Sequence, residues 1–383
     1  MTSYRLAAIP GDGVGPEVLA AGRVVLEATA AAFGFGLEWT GLVVGGAGID
    51  TYGVAIRPED VATCAASDAV YLGAVGGPKW DDPTSSVRPE QALFALRGGL
   101  GLFANLRPVT IHPGLTAASP LRPELLDGVD LLIVRELTGG LYFGGRSEAT
   151  GPAGSRSASD TLPYSDTEIE RVVRLAFELA RGRRRRLTSV DKANVLATSR
   201  LWRRVAVETG ADFPDVALDH QLVDSCAMQL VRRPAAFDVL VTENLFGDIL
   251  SDEASVLAGS LGMLPSASVG SRRTAHGLHG LYEPIHGSAP DIAGQDLANP
   301  IGTILSGAML LRWSLGQAEA ADAIEAAVAS TIDDGFRSAD LWPGAGRPAT
   351  GLTRVGTAGM TQAIVERIAI RRAAPDTVAA RDR

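Results

Sequence analysis

Cysteine is almost missing from this chain: Cys64 and Cys226 are the only two in 383 residues. Two thiols cannot build a disulfide framework, so a reducing cytoplasm is the expected setting. An excess of positive charge is missing as well. Thirty-five Lys and Arg stand against 44 Asp and Glu, for a net charge of −9, which argues against general binding to nucleic acid. No apolar run is long enough for a membrane span. The longest, residues 300–311, is interrupted by Gly302, Thr303, Ser306 and Gly307. It is shorter than the roughly 20 residues a bilayer requires and reads as a buried helix. The opening Met1–Ile9 reads as a first strand, without the apolar core and cleavage site of a secretory leader. A soluble protein with no membrane and no nucleic-acid partner is expected.

Hydrophobic residues make up 46% of the chain, enough for a substantial core, and the length points to two domains or one large α/β unit. Glycine and proline are spread as loop punctuation rather than gathered into low-complexity tracts. Short apolar runs alternate with helical patterns. Tyr4–Ile9, Ala69–Leu72, Leu131–Arg135, Leu187–Asp191 and Val239–Thr242 read as strands; Glu17–Ala32, Glu90–Arg97 and Asp166–Arg181 read as helices. The alternation argues an α/β sheet protein. The loop Gly11-x-Gly13-x-Gly15 before Pro16 does not match the Gly-x-Gly-x-x-Gly dinucleotide fingerprint, so a Rossmann fold is not expected. Residues 136–160 are rich in Gly, Ser and Thr and look like an extended arm able to pair with a partner subunit. The basic run Arg183–Arg186 closes a helix, where cations complement the dipole, and reads as a solvated helix end. The polar tail 371–383 is expected to fray.

One stretch organises the rest: residues 241–255, in which Asp248 and Asp252 stand four apart. On a helix that spacing puts both carboxylates on one face. Gly247 reads as a tight backbone point just before the helix begins. The two acids suit a hard divalent cation such as Mg2+ or Mn2+, and equally suit the solvated first turn of a helix, which favours acids.

Seven segments, taken together and in order, resemble the isopropylmalate and isocitrate dehydrogenase family of β-hydroxyacid oxidative decarboxylases. They are Ile9–Glu17, Gly76–Trp80, Phe103–Pro108, Val134–Gly140, Asp191–Val195, Asn244–Asp252 and Glu283–Asp291. The resemblance covers nearly the whole chain. It implies a two-domain α/β fold of mixed sheets flanked by helices. Residues 1–102 with 259–383 would form the first domain; residues 103–258 would form the second, with the dimer interface, the arm and the metal site. It further implies a homodimer with shared active sites in the cleft, and NAD-dependent conversion of 3-isopropylmalate to 2-oxoisocaproate and CO2 in leucine biosynthesis.

The chemistry can be argued from residue types. Arg97, Arg107 and Arg135 are planar forks suited to two carboxylates. By resemblance, Asp224 joins Asp248 and Asp252 as a metal and substrate ligand, crossing from the other subunit. Lys192 corresponds to the base for the hydroxyl proton, and a cation nearby could lower its pKa enough for that role. Tyr142 corresponds to the residue that reprotonates the enol. Leu93 and Phe94, with Val195 beside Asn194 from the partner, would line an apolar pocket for an isopropyl group, where a carboxylate would be stranded. For Leu93 and Phe94 plain core packing is the alternative.

The cofactor loop would comprise His286, Gly287, Ser288, Ala289 and Asp291, with Asn299 near the adenine and Glu90 and Glu283 on the nicotinamide side. Asp291 favours NAD, because a carboxylate repels a 2′-phosphate. Two segments depart from the family pattern. Residues 270–280 form a longer loop, whose Arg272 and Arg273 could approach the cofactor phosphates. The Pro/Gly stretch 342–348 is expected to be a surface loop. Two rival readings are a tartrate or D-malate dehydrogenase and a catalytically silent regulatory subunit.

Overall fold

The computed structural model describes residues 2–82, 85–151, 154–343 and 349–373, with side chains as far as 369. The chain divides into two compact units. One comprises residues 1–102, 112–119 and 258–383; the other comprises 103–111 and 120–257. The stretch 112–119 therefore lies in the first unit, and not inside a continuous 103–258 domain. Its Gly114 carbonyl accepts a 2.8 Å hydrogen bond from the Arg337 guanidinium, which is itself buried.

In the first unit, strand Ser3–Gly11 runs parallel to Gly36–Gly41 on one side and to Ala69–Ala74 on the other. Leu278–Pro284 lies parallel to Ala69–Ala74 and pairs antiparallel with Pro265–Arg273, so the sheet is mixed. Side chains on a strand alternate faces. Ala7, Ile9, Val70, Leu72 and Leu281 turn to one face and form a core with Leu96, Leu100 and Cys64. Tyr71 turns to the opposite face and donates to the Thr303 carbonyl at 2.7 Å, on helix Ile301–Trp313. That helix, read from the sequence as buried, is enclosed on nearly every side. Helices Gly15–Phe33 and Ala318–Asp333 pack against it and each other, and Thr357–Ala373 packs against those two. The expected loop 270–280 is largely a β-hairpin. Arg272 is drawn back to the Ala65 carbonyl at 2.6 Å, at the end of helix Pro58–Ala66. Most of the Pro/Gly stretch, 344–348, and the tail from 374 onward lie outside the described residues.

In the second unit, Asp130–Glu136 pairs antiparallel with Ala104–Thr110 and parallel with Val239–Thr242, which in turn runs parallel to Arg186–Asp191. Ala217–Leu222 completes this mixed sheet. Helix Asp166–Arg181 begins at a capping box in which Ser165 and Glu168 satisfy each other's backbone N–H groups. The expected arm forms an exposed antiparallel pair, Arg146–Thr150 with Arg156–Asp160.

The basic run is only in part a solvated helix end: Arg184, Arg185 and Arg186 are exposed, but Arg183 is not. Helix Asp166–Arg181 stops before it, and Arg183 turns inward to the fully buried Asp238 at 2.9 Å and to Asp130 at 2.8 Å. Arg184 donates to the Asp130 and Phe237 carbonyls. These cations staple strand ends, because a buried carboxylate needs a charged donor more than the helix terminus needs one. Among the described residues no helix is long and apolar enough to cross a membrane.

Candidate active site

In the second unit, register builds the site. Asn105 lies opposite Arg135, and Arg107 lies opposite Ile133. With the two-residue period, Asn105, Arg107 and Arg135 share one face of the sheet. Strand Val239–Thr242 leads into helix Asn244–Ser255. The start of that helix corrects the sequence reading. Asn244 is its first residue, Glu243 caps it by accepting from the Leu245 and Phe246 N–H groups, and Gly247 is an interior helical position.

On this helix Asn244, Asp248, Ser251 and Asp252 fall on one stripe, by the spacing that brings i, i+4, i+7 and i+8 together. Each arginine engages part of it. Arg107 Nη1 donates to Ser251 Oγ at 2.7 Å and Asp252 Oδ1 at 2.9 Å, while its Nε is steered by Asn105 Oδ1 at 2.8 Å. Arg135 donates to Asn244 Oδ1 at 3.0 Å from Nε and 2.8 Å from Nη2, and its Nη1 grips Asp248. The other Asp248 oxygen accepts from the Tyr142 hydroxyl at 2.6 Å. Burial, with this bond to Asp248 second, pushes the Tyr142 phenol up to about 12.

Lys192 lies just past strand Arg186–Asp191, and its Nζ is 2.6 Å from Asp224 Oδ1. The Lys192 ammonium holds the Asp224 carboxyl below the usual carboxylate range. Asp224 stands in the first turn of helix Val223–Arg232. Buried Asp191 fixes the turn that carries Lys192, taking two 2.8 Å bonds from Arg203 and one of 2.9 Å from the Ala193 N–H. Asn194 is exposed, and Val195 is 62% exposed.

Within one chain the structure brings Asp248 and Asp252 onto one face but does not bring Asp224 to them. Among the described residues no three His, Cys, Asp or Glu side chains gather as a metal group. The donor set still suits a hard cation. All three groups are carboxylates, and the two on the helix are held one turn apart.

In the first unit, Arg97 sits on helix Gln91–Leu100 with a guanidinium nitrogen 3.7 Å from the Glu283 carboxylate, and its buried Nε has no hydrogen-bond partner among the described residues. Leu93 packs against the core cluster, whereas Phe94 is 40% exposed. Glu90 immediately precedes the helix and is exposed. The loop after Glu283 closes on the Gly11–Gly15 turn, where the Val14 N–H donates to the Ser288 carbonyl at 2.7 Å. Gly13, at φ +57°, makes this possible, since a Cβ there would stand 2.0 Å from that oxygen. Beside this close approach lie Gly287 and Ala289.

Burial lowers the His286 pKa, and its buried Nε2 has no hydrogen-bond partner among the described residues. Asp291 is exposed. An unpartnered imidazole nitrogen and an exposed carboxylate on one loop fit a polar cofactor. Asn299 is less available: it is buried, accepts from the Ile301 N–H at 3.1 Å and donates to Asp340 at 3.0 Å.

Sequence reasoning missed Asn105, Asn244 and Ser251, which orient the arginines, and Asp191, which fixes the Lys192 turn. The stripe 244–248–251–252 was readable as helical spacing once the helix start was known. The pairing of Asn105 with Arg135 needed the strand register.

Fold and site together define an α/β enzyme whose guanidinium forks suit an anionic substrate. A model of isocitrate/isopropylmalate dehydrogenases matches residues 5–364, and the chain belongs to that family. It is 60% identical over 337 residues to the 3-isopropylmalate dehydrogenase of Anaeromyxobacter dehalogenans, covering 88% of this chain and 94% of that protein. To the 3-isopropylmalate dehydrogenase of a Synechococcus strain it is 54% identical over 374 residues, covering 97% and 95% respectively. Among solved structures, isocitrate dehydrogenase from Methylococcus capsulatus superposes with a TM-score of 0.82 at 36% identity, covering 95% of this chain and 99% of that one.

Proposed function

We propose that this chain catalyses the NAD-dependent oxidation and decarboxylation of 3-isopropylmalate to 4-methyl-2-oxopentanoate (2-oxoisocaproate) and CO2, a step of leucine biosynthesis in the cytoplasm. The observation that carries this reading is the face on which Arg107 and Arg135 meet Asp252, Asp248 and Tyr142. The names of the relatives supply the substrate.

Arg97, Arg107 and Arg135 bind and orient the two substrate carboxylates. Lys192 accepts the C2 hydroxyl proton, and Tyr142 returns a proton to carbon after CO2 departs. Asp248, Asp252 and Asp224 of the partner subunit hold Mg2+ or Mn2+, and His286, Gly287, Ser288, Ala289 and Asp291 hold NAD, with Glu90, Glu283 and Asn299 around it. When bound, these groups supply Lewis-acid stabilisation of oxyanion charge and a hydride acceptor. The chain works as a homodimer, because Lys192, Asn194, Val195 and Asp224 serve the neighbouring site. Asn194 completes the substrate site, and Leu93, Phe94 and Val195 face the isopropyl group. The exposure of Phe94 and Val195 in the single chain fits surfaces that are covered only on assembly and substrate binding.

The test is steady-state NADH formation with Mg2+ or Mn2+ on 3-isopropylmalate, D-malate, tartrate and isocitrate. A kcat/KM for isopropylmalate at least about tenfold above malate, about 1.4 kcal/mol, supports the apolar pocket. Preference for malate or tartrate would overturn the substrate.

A further inference from the structure

Behind the face that carries Asp248 and Tyr142 lies a group of buried acids that the proposed chemistry does not use. Glu136 ends strand Asp130–Glu136 and is fully buried. Its Oε1 accepts from the Thr138 N–H and hydroxyl, both at 2.8 Å, and its Oε2 accepts from the Gly139 N–H at 2.8 Å. Those bonds fold the turn that leads, through the short helix Gly140–Tyr142, to the Tyr142 phenol. Glu243, also buried, caps helix Asn244–Ser255. One carboxylate thus shapes the turn that presents Tyr142, and the other anchors the helix that carries Asp248 and Asp252.

Tyr164 stands between them. Its hydroxyl donates to Glu136 Oε2 at 3.0 Å, lies 3.4 Å from Glu243 Oε2 and accepts from the Asn244 N–H at 3.1 Å. The turn is moulded onto this side chain. A Cβ at Gly139 would lie 2.5 Å from the Tyr164 ring, and one at Gly140 would lie 2.7 Å from its oxygen. The Asn244 amide closes the frame by donating to the Gly139 carbonyl at 3.1 Å while its oxygen receives Arg135. The ring of Tyr164 packs edge-on against Trp202, a contact that phenylalanine would keep.

We propose that Tyr164 is a positioning residue: its hydroxyl locks the Tyr142 turn to the first turn of the Asp248 and Asp252 helix and so sets the spacing of phenol and carboxylates. Two buried carboxylates and one backbone N–H converge on that single oxygen, so removing it takes the Tyr164 acceptor from the Asn244 N–H and one contact from each carboxylate, and loosens a tie between turn and helix that then rests on the Asn244 amide and the Tyr142–Asp248 bond. The proposal rests on the proposed function only in assigning Tyr142, Asp248 and Asp252 to the reaction.

The test is Tyr164→Phe in the full-length enzyme. Mn2+ affinity is read by electron paramagnetic resonance of the free ion, NADH affinity by fluorescence titration, and kcat by NADH formation from 3-isopropylmalate. The expected result is a Mn2+ dissociation constant weakened about fivefold and a kcat lowered about tenfold, with NADH affinity within twofold of wild type. A hydroxyl that served stability alone would lower the amount of folded enzyme without moving the Mn2+ dissociation constant of what remains. Wild-type values for both Mn2+ affinity and kcat, or a lower kcat with unchanged Mn2+ affinity, would overturn the proposal. If Tyr164→Phe does not fold, Glu136→Gln keeps the Tyr164 hydroxyl but weakens its carboxylate acceptor together with the Thr138 and Gly139 bonds, so it should weaken Mn2+ binding at least about fivefold, and unchanged Mn2+ affinity there overturns the proposal. A wild-type enzyme that binds Mn2+ but leaves isopropylmalate untouched would sink the substrate reading, while the Mn2+ comparison still judges Tyr164.

Discussion

Arg135 reaches Asp248 by crossing helix Asn244–Ser255 at Gly247, where a Cβ would stand 2.6 Å from Arg135 Cγ and 2.8 Å from its Cβ. The glycine therefore occupies a helix interior, at a cost of about 1 kcal/mol against alanine, to let an arginine lie flat on the helix. Gly247→Ala should lower kcat/KM for the substrate at least about tenfold, about 1.4 kcal/mol, because the guanidinium must leave its place. Its melting temperature should not rise, since overpacking typically costs about 1–3 kcal/mol and cancels the gain in helix propensity. Steady-state kinetics and a thermal melt decide the matter. Wild-type kinetics with a raised melting temperature would show that the backbone yields.

Lys192 pairs with Asp224 at 2.6 Å and belongs to the proposed proton-transfer set. Replacing it with methionine keeps the length of the side chain and removes the proton acceptor. Turnover should fall by roughly 10²–10⁴-fold, the usual range for a general base. NADH affinity, which the proposal assigns to the loop around His286 and Asp291, should stay within about twofold of wild type, a change under about 0.5 kcal/mol. Near-normal turnover would remove Lys192 from the mechanism.

The difference between what could and could not be read from sequence is one of range. Helix Asp166–Arg181 follows from local signals, an apolar stripe and a capping pair, and its bounds agree with the sequence reading. The shared face of Asp248 and Asp252 follows from helical spacing alone. The start of their helix was misplaced because glycine usually marks a break, whereas here it clears a path for Arg135. Glu243 is also not among the preferred capping residues. The Asn105–Arg135 pairing and the convergence of Glu136 and Glu243 on Tyr164 depend on strand register and on contacts across 28 to 80 positions. No local pattern carries these.

Arg183 gives a prediction of the same long-range kind. Its guanidinium is the charged partner of fully buried Asp238, whose carboxylate also accepts from the Arg186 N–H at 3.2 Å. Arg183→Ala should destabilise the chain by about 3 kcal/mol, the lower end for breaking a buried pair, because Arg183 itself keeps some contact with water. Removing the buried charge as well, in Arg183→Met with Asp238→Asn, should restore most of that loss. Urea unfolding midpoints measure both, and kcat should not change. A single variant as stable as wild type would return the basic run to the role of a solvated helix end.

Both cysteines are fully enclosed, and burial pushes each thiol from the ordinary 9.0 up to about 12. Only the thiolate reacts with Ellman's reagent, so near pH 8 the folded protein presents very little reactive thiol. Native enzyme should show no fast-reacting thiol, and guanidinium-unfolded enzyme should show two. The sign of the pH linkage follows from the same shift. The folded state keeps its thiol protons longer than the unfolded chain, so this contribution is complete below pH 9 and is lost as pH climbs towards 12. Cys226 adds a diagnostic, since it lies on the helix that begins beside Asp224. Fast native labelling at Cys226 with Cys64 silent would mean that this helix opens readily in solution, which would count against its proposed role of presenting Asp224 to a partner site.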